Sequence, residues 1–216
     1  MAATPKQRAA LDLYAELMEE VKIRISSMDM AMQGRTGLPG ALAREFCFLQ
    51  LRMLCELIAL GCLTAHGDIE ESTKLRKEYA ADKIIEQLEQ LHPHFYPRAC
   101  KQTKRGPHLF DAIMMKDDEG FLTKPELLKL YGKCGDSLHR GSLKKLLSPT
   151  SAIQRHFRDI VEWQKKIVTL LDYHAIFLIE KKSMVLFVLR NIDNNNRVNW
   201  ALVEGESLAT LLDEPK

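Results

Sequence analysis

Residues 38–65, "LPGALAREFCFLQLRMLCELIALGCLTA", decide how the chain is read. From Ala41 to Thr64 the stretch is apolar almost all round, and only Arg44, Glu45, Arg52 and Glu56 interrupt it. That is too much charge for a bilayer span. A helix apolar on every side belongs at the centre of a helical bundle, where neighbours cover each face. Its polar residues are ordered: Glu45, Arg52 and Glu56 stand seven and four positions apart and form one stripe. Arg52 and Glu56 can pair directly at i, i+4.

On the N-terminal side, Thr4-Pro5 is a helix start, a capping hydroxyl followed by a proline in the first turn. Leu11, Tyr14, Met18, Val21, Ile25, Met28 and Met32 then recur at alternating spacings of three and four, the pattern of an amphipathic seam. "GRTGLPG", residues 34–40, ends it. The methionines of this seam read as core filling.

On the C-terminal side, residues 67–91 predict a third helix with Ser72 or Thr73 as its cap. "HPHFYPRACKQTKRGPH", residues 92–108, predicts a long connection. "TKPE", Thr123 to Glu126, is a capping box with proline in the first turn and predicts a fourth helix. Leu127, Tyr131, Cys134 and Leu138 would line its inner face. After Gly141 and Ser148-Pro149 a last long helix is expected, burying Ile153, Phe157, Ile160, Ile167 and Leu171.

Beyond Tyr173 the texture changes. "HAIFLIEKK", "SMVLFVLRN" and "RVNWALVEG" are β-branched and apolar, with polar turns at residues 181–183 and 193–196. The expectation is a mainly α fold, a bundle of about five helices over residues 1–173. A three-stranded antiparallel meander and short tail, residues 174–216, would pack on the bundle as one compact unit. Strands are expected only within residues 174–204. The first two strands are apolar on both sides, so both faces of the meander should be covered.

The chain has 216 residues, enough to bury a core without metal or disulfide staples, and a net charge of +2. Its five cysteines, Cys47, Cys55, Cys62, Cys100 and Cys134, are odd in number and lack CxxC spacing. That argues against a disulfide scaffold or structural zinc and for a reducing, cytoplasmic setting. The N-terminus has no secretory pattern, and no membrane association is expected. "MKDDEGFLTKPE", residues 115–126, resembles a calcium loop only superficially, because Met115 would occupy the first ligand position. His92 and His94 have no partner cysteine, and HExxH, Walker-type, GxGxxG and GxSxG motifs are absent. No metal and no cofactor are expected.

Two tracts are basic and free of acids. Residues 98–105 carry Arg98, Lys101, Lys104 and Arg105; residues 140–158 carry Arg140, Lys144, Lys145, Arg155 and Arg158. On one face they would form a patch suited to the phosphates of RNA. The other constellation joins the stripe Glu45/Arg52/Glu56 to Tyr131, Asp136 and His139. If the fourth helix packs on the second, these carboxylates and Arg52 could orient His139 for proton transfer. The same residues could equally form a hydrogen-bond network that fixes helix register.

"LRMLCELIAL", residues 51–60, resembles the R-x-x-x-E helix of bacterial proteins with a HEPN-like helical bundle. "YGKCGDSLHRGSL", residues 131–143, resembles their Y-x-x-x-S/D-x-x-H segment. Arg52 and Glu56 match the first motif, and Tyr131, Asp136 and His139 the second. The resemblance covers residues 40–172 and implies RNA binding or ribonuclease activity in defence or stress response, as in toxin–antitoxin and phage-defence systems. On that reading cleavage would proceed by 2′-hydroxyl attack, with His139 as acid or base, Asp136 and Glu56 beside it, and Arg52 stabilising phosphate charge. The ribonuclease members carry an arginine four to six residues before a histidine on one helix. Here Lys133 stands at that interval before His139, and lysine lacks the planar fork of arginine. The alternative is a non-enzymatic interaction protein, a homodimer or a binder of another protein, using the seam of the first helix or the edge of the meander.

Overall fold

The computed structural model describes residues 3–66, 77–102, 112–114, 119–139, 156–178 and 183–204. α1, Pro5–Met32, starts at a capping box in which Thr4 and Gln7 each cap the other's backbone N–H. Leu11, Tyr14, Met18, Val21, Ile25 and Met28 are buried along it, with Ala31 in place of the half-buried Met32. Gly34 and Gly37, at φ of 74° and 69°, turn the chain into α2, Gly40–Ala65.

α2 is the central helix, in contact with α1 on one side and with the helices Lys124–Leu138 and Arg158–Leu171 on others. Among the described residues it is the one helix long and apolar enough to cross a membrane, and most of its most apolar stretch is buried within the protein. α1 approaches it closely at Gly61. A Cβ there would lie 2.9 Å from Cε2 of Tyr14, so the contact requires glycine.

α3 runs from Ala81 to Leu91. The expected start at Ser72 or Thr73 lies outside the described residues, but Lys77–Ala80 are not α-helical. The Glu78 carboxylate accepts the backbone N–H groups of Tyr79 and Ala80, which offers this stretch an alternative to helical pairing. α4, Lys124–Leu138, begins at the expected Thr123/Glu126 box, and Lys166 from the last helix ion-pairs with Glu126. That last helix, α5, is Arg158–Leu171. It buries Ile160, Ile167 and Leu171 as expected, but Phe157 is its half-buried N-cap, and Ile153 lies outside the described residues.

The meander is β3, Tyr173–Phe177, β4, Ser183–Asn191, and β5, Arg197–Glu204. Asn195 and Asn196, both in the left-handed region, make the β4–β5 turn. The sheet is larger than the meander. The expected connection contributes β1, Arg98–Gln102, and β2, Ala112–Met114. The strand order is β2-β1-β3-β4-β5, all antiparallel. Strands are therefore not confined to residues 174–204, and one sheet draws strands from both sides of residue 173. Between β1 and β3 only Arg98↔Ala175 and Ala99↔His174 pair, a register that leaves no periodic trace in a proline-rich segment.

Both faces of the central strands are buried, as their two-sided apolar pattern requires. Ile176, Val185, Phe187 and Leu189 join the core shared with the helices, while Tyr173, Ala175, Phe177, Met184, Leu186 and Cys100 form a second cluster. His174 ties the layers together. Its Nδ1–H donates to the Leu171 carbonyl at 2.9 Å, so its Nε2 accepts the Tyr14 hydroxyl at 2.7 Å, and its ring stacks on Phe187. α1 also guards the edge strand. Glu19 accepts the backbone N–H of Val198, and Asp12 accepts the Trp200 indole N–H.

Candidate functional site

The groove between α2 and α4 holds the polar residues of both helices. Four-residue spacing sets Arg52 and Glu56 one turn apart on α2, and Arg52 Nε donates to Glu56 at 3.1 Å. Tyr131 of α4 meets both. Its hydroxyl oxygen accepts from Arg52 Nη2 at 2.8 Å, its O–H points to Glu56 at 3.4 Å, and its ring lies 4.5 Å from the guanidinium carbon. Burial raises the Tyr131 phenol above its ordinary value, with the Arg52 charge acting against it.

The arginine is only partly used. Its side chain is 31% exposed, and among the described residues Nη1 has no hydrogen-bond partner. Nη1 faces Gly135, where even a methyl group would sit 3.6 Å away, and nothing stands over Gly132. Two glycines of α4 thus line one side of a notch beside a guanidinium whose other nitrogens are hydrogen-bonded.

A second network continues the same groove. Arg44 forms a two-pronged pair with Asp159 of α5, 2.7 Å on each arm, and donates to the His156 carbonyl at 2.5 Å. Lys133 of α4 reaches the same carboxylate at 3.2 Å. The Arg44 guanidinium lies over Phe48, 4.9 Å from the ring centre. Hydrogen bonds from Arg44 first, and then from Lys133, hold the Asp159 carboxyl well below the usual carboxylate range.

Sequence reasoning placed Glu45, not Arg44, in the stripe. The structure corrects this: Glu45 is exposed, and Arg44 is buried against α5. The signal was available, because 44, 48, 52 and 56 are four apart and trace one drifting line along the helix facing α4. Asp159 and Lys133 were missed as site residues because their pairing with Arg44 spans the whole helical layer.

Asp136 and His139 are exposed, and among the described residues neither side chain is hydrogen-bonded or ion-paired to the Arg52 cluster. His139 is the C-cap of α4, its N–H bonded to the Gly135 carbonyl. It follows Tyr131 and Gly135 at four-residue steps, so it stands at the end of the notch rather than in it. Cys134 beneath the notch is no nucleophile, because burial pushes its thiol up to about 12.

The basic tracts are not assembled into one patch by the residues described. Arg98 and Lys101 are three apart on β1 and project to opposite faces of the sheet. Among the described residues Arg98 Nε is buried without a partner, Lys101 ion-pairs with Glu119, and Arg158 pairs with Glu162. Lys104, Arg105, Arg140, Lys144, Lys145 and Arg155 lie outside the described residues. Among the described residues no group of three or more His, Cys, Asp or Glu is placed to hold a metal ion. His66 and His92 are buried and both meet the Phe177 carbonyl, at 3.1 and 2.8 Å.

The chain matches no family model, no curated protein and no solved structure. The HEPN resemblance rests on the quoted residues alone.

Proposed function

We propose that the protein binds RNA through the notch between α2 and α4, with Arg52 as the phosphate ligand. The observation that supports this is the Arg52 guanidinium, fixed through Nε and Nη2 by Glu56 and Tyr131 while its side chain stays 31% exposed and Nη1, among the described residues, makes no hydrogen bond. A held guanidinium has already lost its rotamer freedom, so a phosphate oxygen gains two N–H donors at little further entropic cost. Glu56 cancels the arginine's charge locally, so the notch contributes directed hydrogen bonds more than field. The role in defence or stress response is the one that the HEPN resemblance implies.

The reading is binding without cleavage. A general acid or base must come within hydrogen-bond reach of the phosphodiester held by Arg52. Asp136 and His139 are exposed and unconnected to that guanidinium. Fluorescence anisotropy with a labelled single-stranded RNA tests the proposal, at about 50 and about 200 mM salt. Arg52→Gln should weaken binding about tenfold, the scale of a charge-assisted hydrogen bond to phosphate. His139→Gln should bind as the parent does, and neither protein should shorten the RNA. No binding by the parent at low salt, or unchanged binding by Arg52→Gln, would overturn the proposal.

A further inference from the structure

Two buried histidines meet at a joint between three elements. His66 is the C-cap of α2 and His92 the C-cap of α3, each 3% exposed, and their ring centres lie 5.1 Å apart. Both Nε2 atoms face one backbone oxygen, the Phe177 carbonyl at the end of β3, His92 at 2.8 Å and His66 at 3.1 Å. β1 pairs with β3 at His174 and Ala175 and not at Phe177. Imidazoles therefore stand at this carbonyl where a neighbouring strand would otherwise donate.

His66 has a carbonyl at both ring nitrogens, for its Nδ1 lies 2.7 Å from the Cys62 oxygen. A carbonyl only accepts, and a neutral imidazole carries one N–H. Neutral His66 satisfies one of its two carbonyls and sets a ring lone pair against the other. The shorter contact, to Cys62, takes the hydrogen and leaves Nε2 facing Phe177 without one. An imidazolium donates to both. His174 has no such conflict, because its second nitrogen meets the Tyr14 hydroxyl, which donates.

The electrostatics at the joint oppose one another. The negative ends of two helix dipoles converge there and favour a positive ring. Burial, and after it the neighbouring His92, disfavours one and holds the His66 value below the ordinary. The other titratable groups of the described residues here are the His94 ring, 6.1 Å from His92, the Cys62 thiol and the Tyr96 phenol, and burial keeps the last two neutral. No described Asp, Glu, Lys or Arg is hydrogen-bonded or ion-paired to His66.

We propose that His66 is a proton-operated latch: a proton from solvent takes the Nε2 lone pair, the new N–H binds the Phe177 carbonyl, and the end of α2 closes on β3. With His66 neutral, His92 holds that carbonyl through its own Nε2–H and the α2 contact is unmade. The Phe177 oxygen has two lone pairs and accepts both imidazoles at once. The unfolded chain takes up its proton first, so global stability still falls as pH drops from about 6.5 toward the folded value. The latch closes locally at that folded value, and it does not rest on RNA binding.

Imidazole-nitrogen NMR of the full chain tests the latch. In mildly alkaline solution His66 should be neutral with its hydrogen on Nδ1, the tautomer that Cys62 selects. On acidification Nε2 should gain a hydrogen with a midpoint below about 6.5, and the Phe177 carbonyl carbon should shift at the same midpoint. The Leu178 amide, bonded to Ser183 beside the joint, should become about tenfold better protected from hydrogen exchange through that step, the scale of a hydrogen bond to a charged group. His66→Gln, which has no proton to gain, should lose the step. Should that variant not fold, the ring and carbonyl spectra of the parent decide alone. A neutral His66 with its hydrogen on Nε2 would overturn the proposal, since the Phe177 bond would then need no added proton. So would two ring hydrogens in alkaline solution, protonation without a change at the Phe177 carbonyl, or a step that persists in His66→Gln.

Discussion

Gly61→Ala tests the closest approach in the fold. The added Cβ would meet Cε2 of Tyr14 at 2.9 Å, Cδ2 at 3.3 Å and the Met18 methyl at 3.4 Å. Carbon contacts relax near 3.5 Å, so the ring must retreat by about 0.6 Å, whereas the methionine end can swing aside. Tyr14 has nowhere easy to go. It is fully buried, its ring centre is 4.2 Å from that of Phe187, and its hydroxyl donates to His174 at 2.7 Å. Retreat would stretch that bond toward about 3.3 Å and weaken it, a loss of up to about 1 kcal/mol. Repacking the ring adds about 1–2 kcal/mol. Alanine in place of glycine within a helix returns about 1 kcal/mol. The expected net destabilisation is about 1–2 kcal/mol, measured as a lower midpoint in urea at unchanged slope. The double variant Tyr14→Phe/Gly61→Ala should lose less than the two singles added, by about 1 kcal/mol, because the hydroxyl bond can be lost only once. A Gly61→Ala protein as stable as the parent, or more so, would refute the claim that Tyr14 is pinned.

Two further outcomes concern pH. Burial holds the His174 imidazole down to about 4, against about 6.5 in an unfolded chain. Between those values the unfolded state takes up a proton and the native state does not. Stability should therefore fall as pH drops from about 6.5 toward 4, by on the order of 3 kcal/mol from this residue. His66, lowered mainly by burial, acts in the same direction. A His174 ring resonance that titrates near 6.5 in the native protein would contradict this. Asp159 has the opposite sign. Its folded value is depressed, so its contribution is complete above the unfolded value of about 4 and is lost as pH falls through the folded one. Asp159→Asn should cost about 2–3 kcal/mol at pH 7, since it leaves Arg44 buried without its carboxylate, and the gap from the parent should close in acid. An equal gap at both pH values would mean that the charge of Asp159 contributes nothing.

What the sequence determined by itself is whatever depends on neighbours within about four residues. The Thr4/Gln7 and Thr123/Glu126 boxes, the buried line from Leu11 to Met28, the Arg52–Glu56 pair and the strand texture after Tyr173 were all legible, because capping and periodicity are local. The tertiary structure alone decided what depends on a partner far along the chain. β1 is a strand because Arg98 and Ala99 find Ala175 and His174, and nothing within residues 92–108 announces that pairing. Arg44 is buried and Glu45 exposed because α5 brings Asp159 to one side of α2 and not to the other. Neighbouring charges on a helix are indistinguishable until a second helix chooses between them. The same holds for the notch: Arg52 is fixed by a tyrosine 79 residues away and lies beside a glycine four residues beyond it, and only the packing of α4 on α2 sets those side by side.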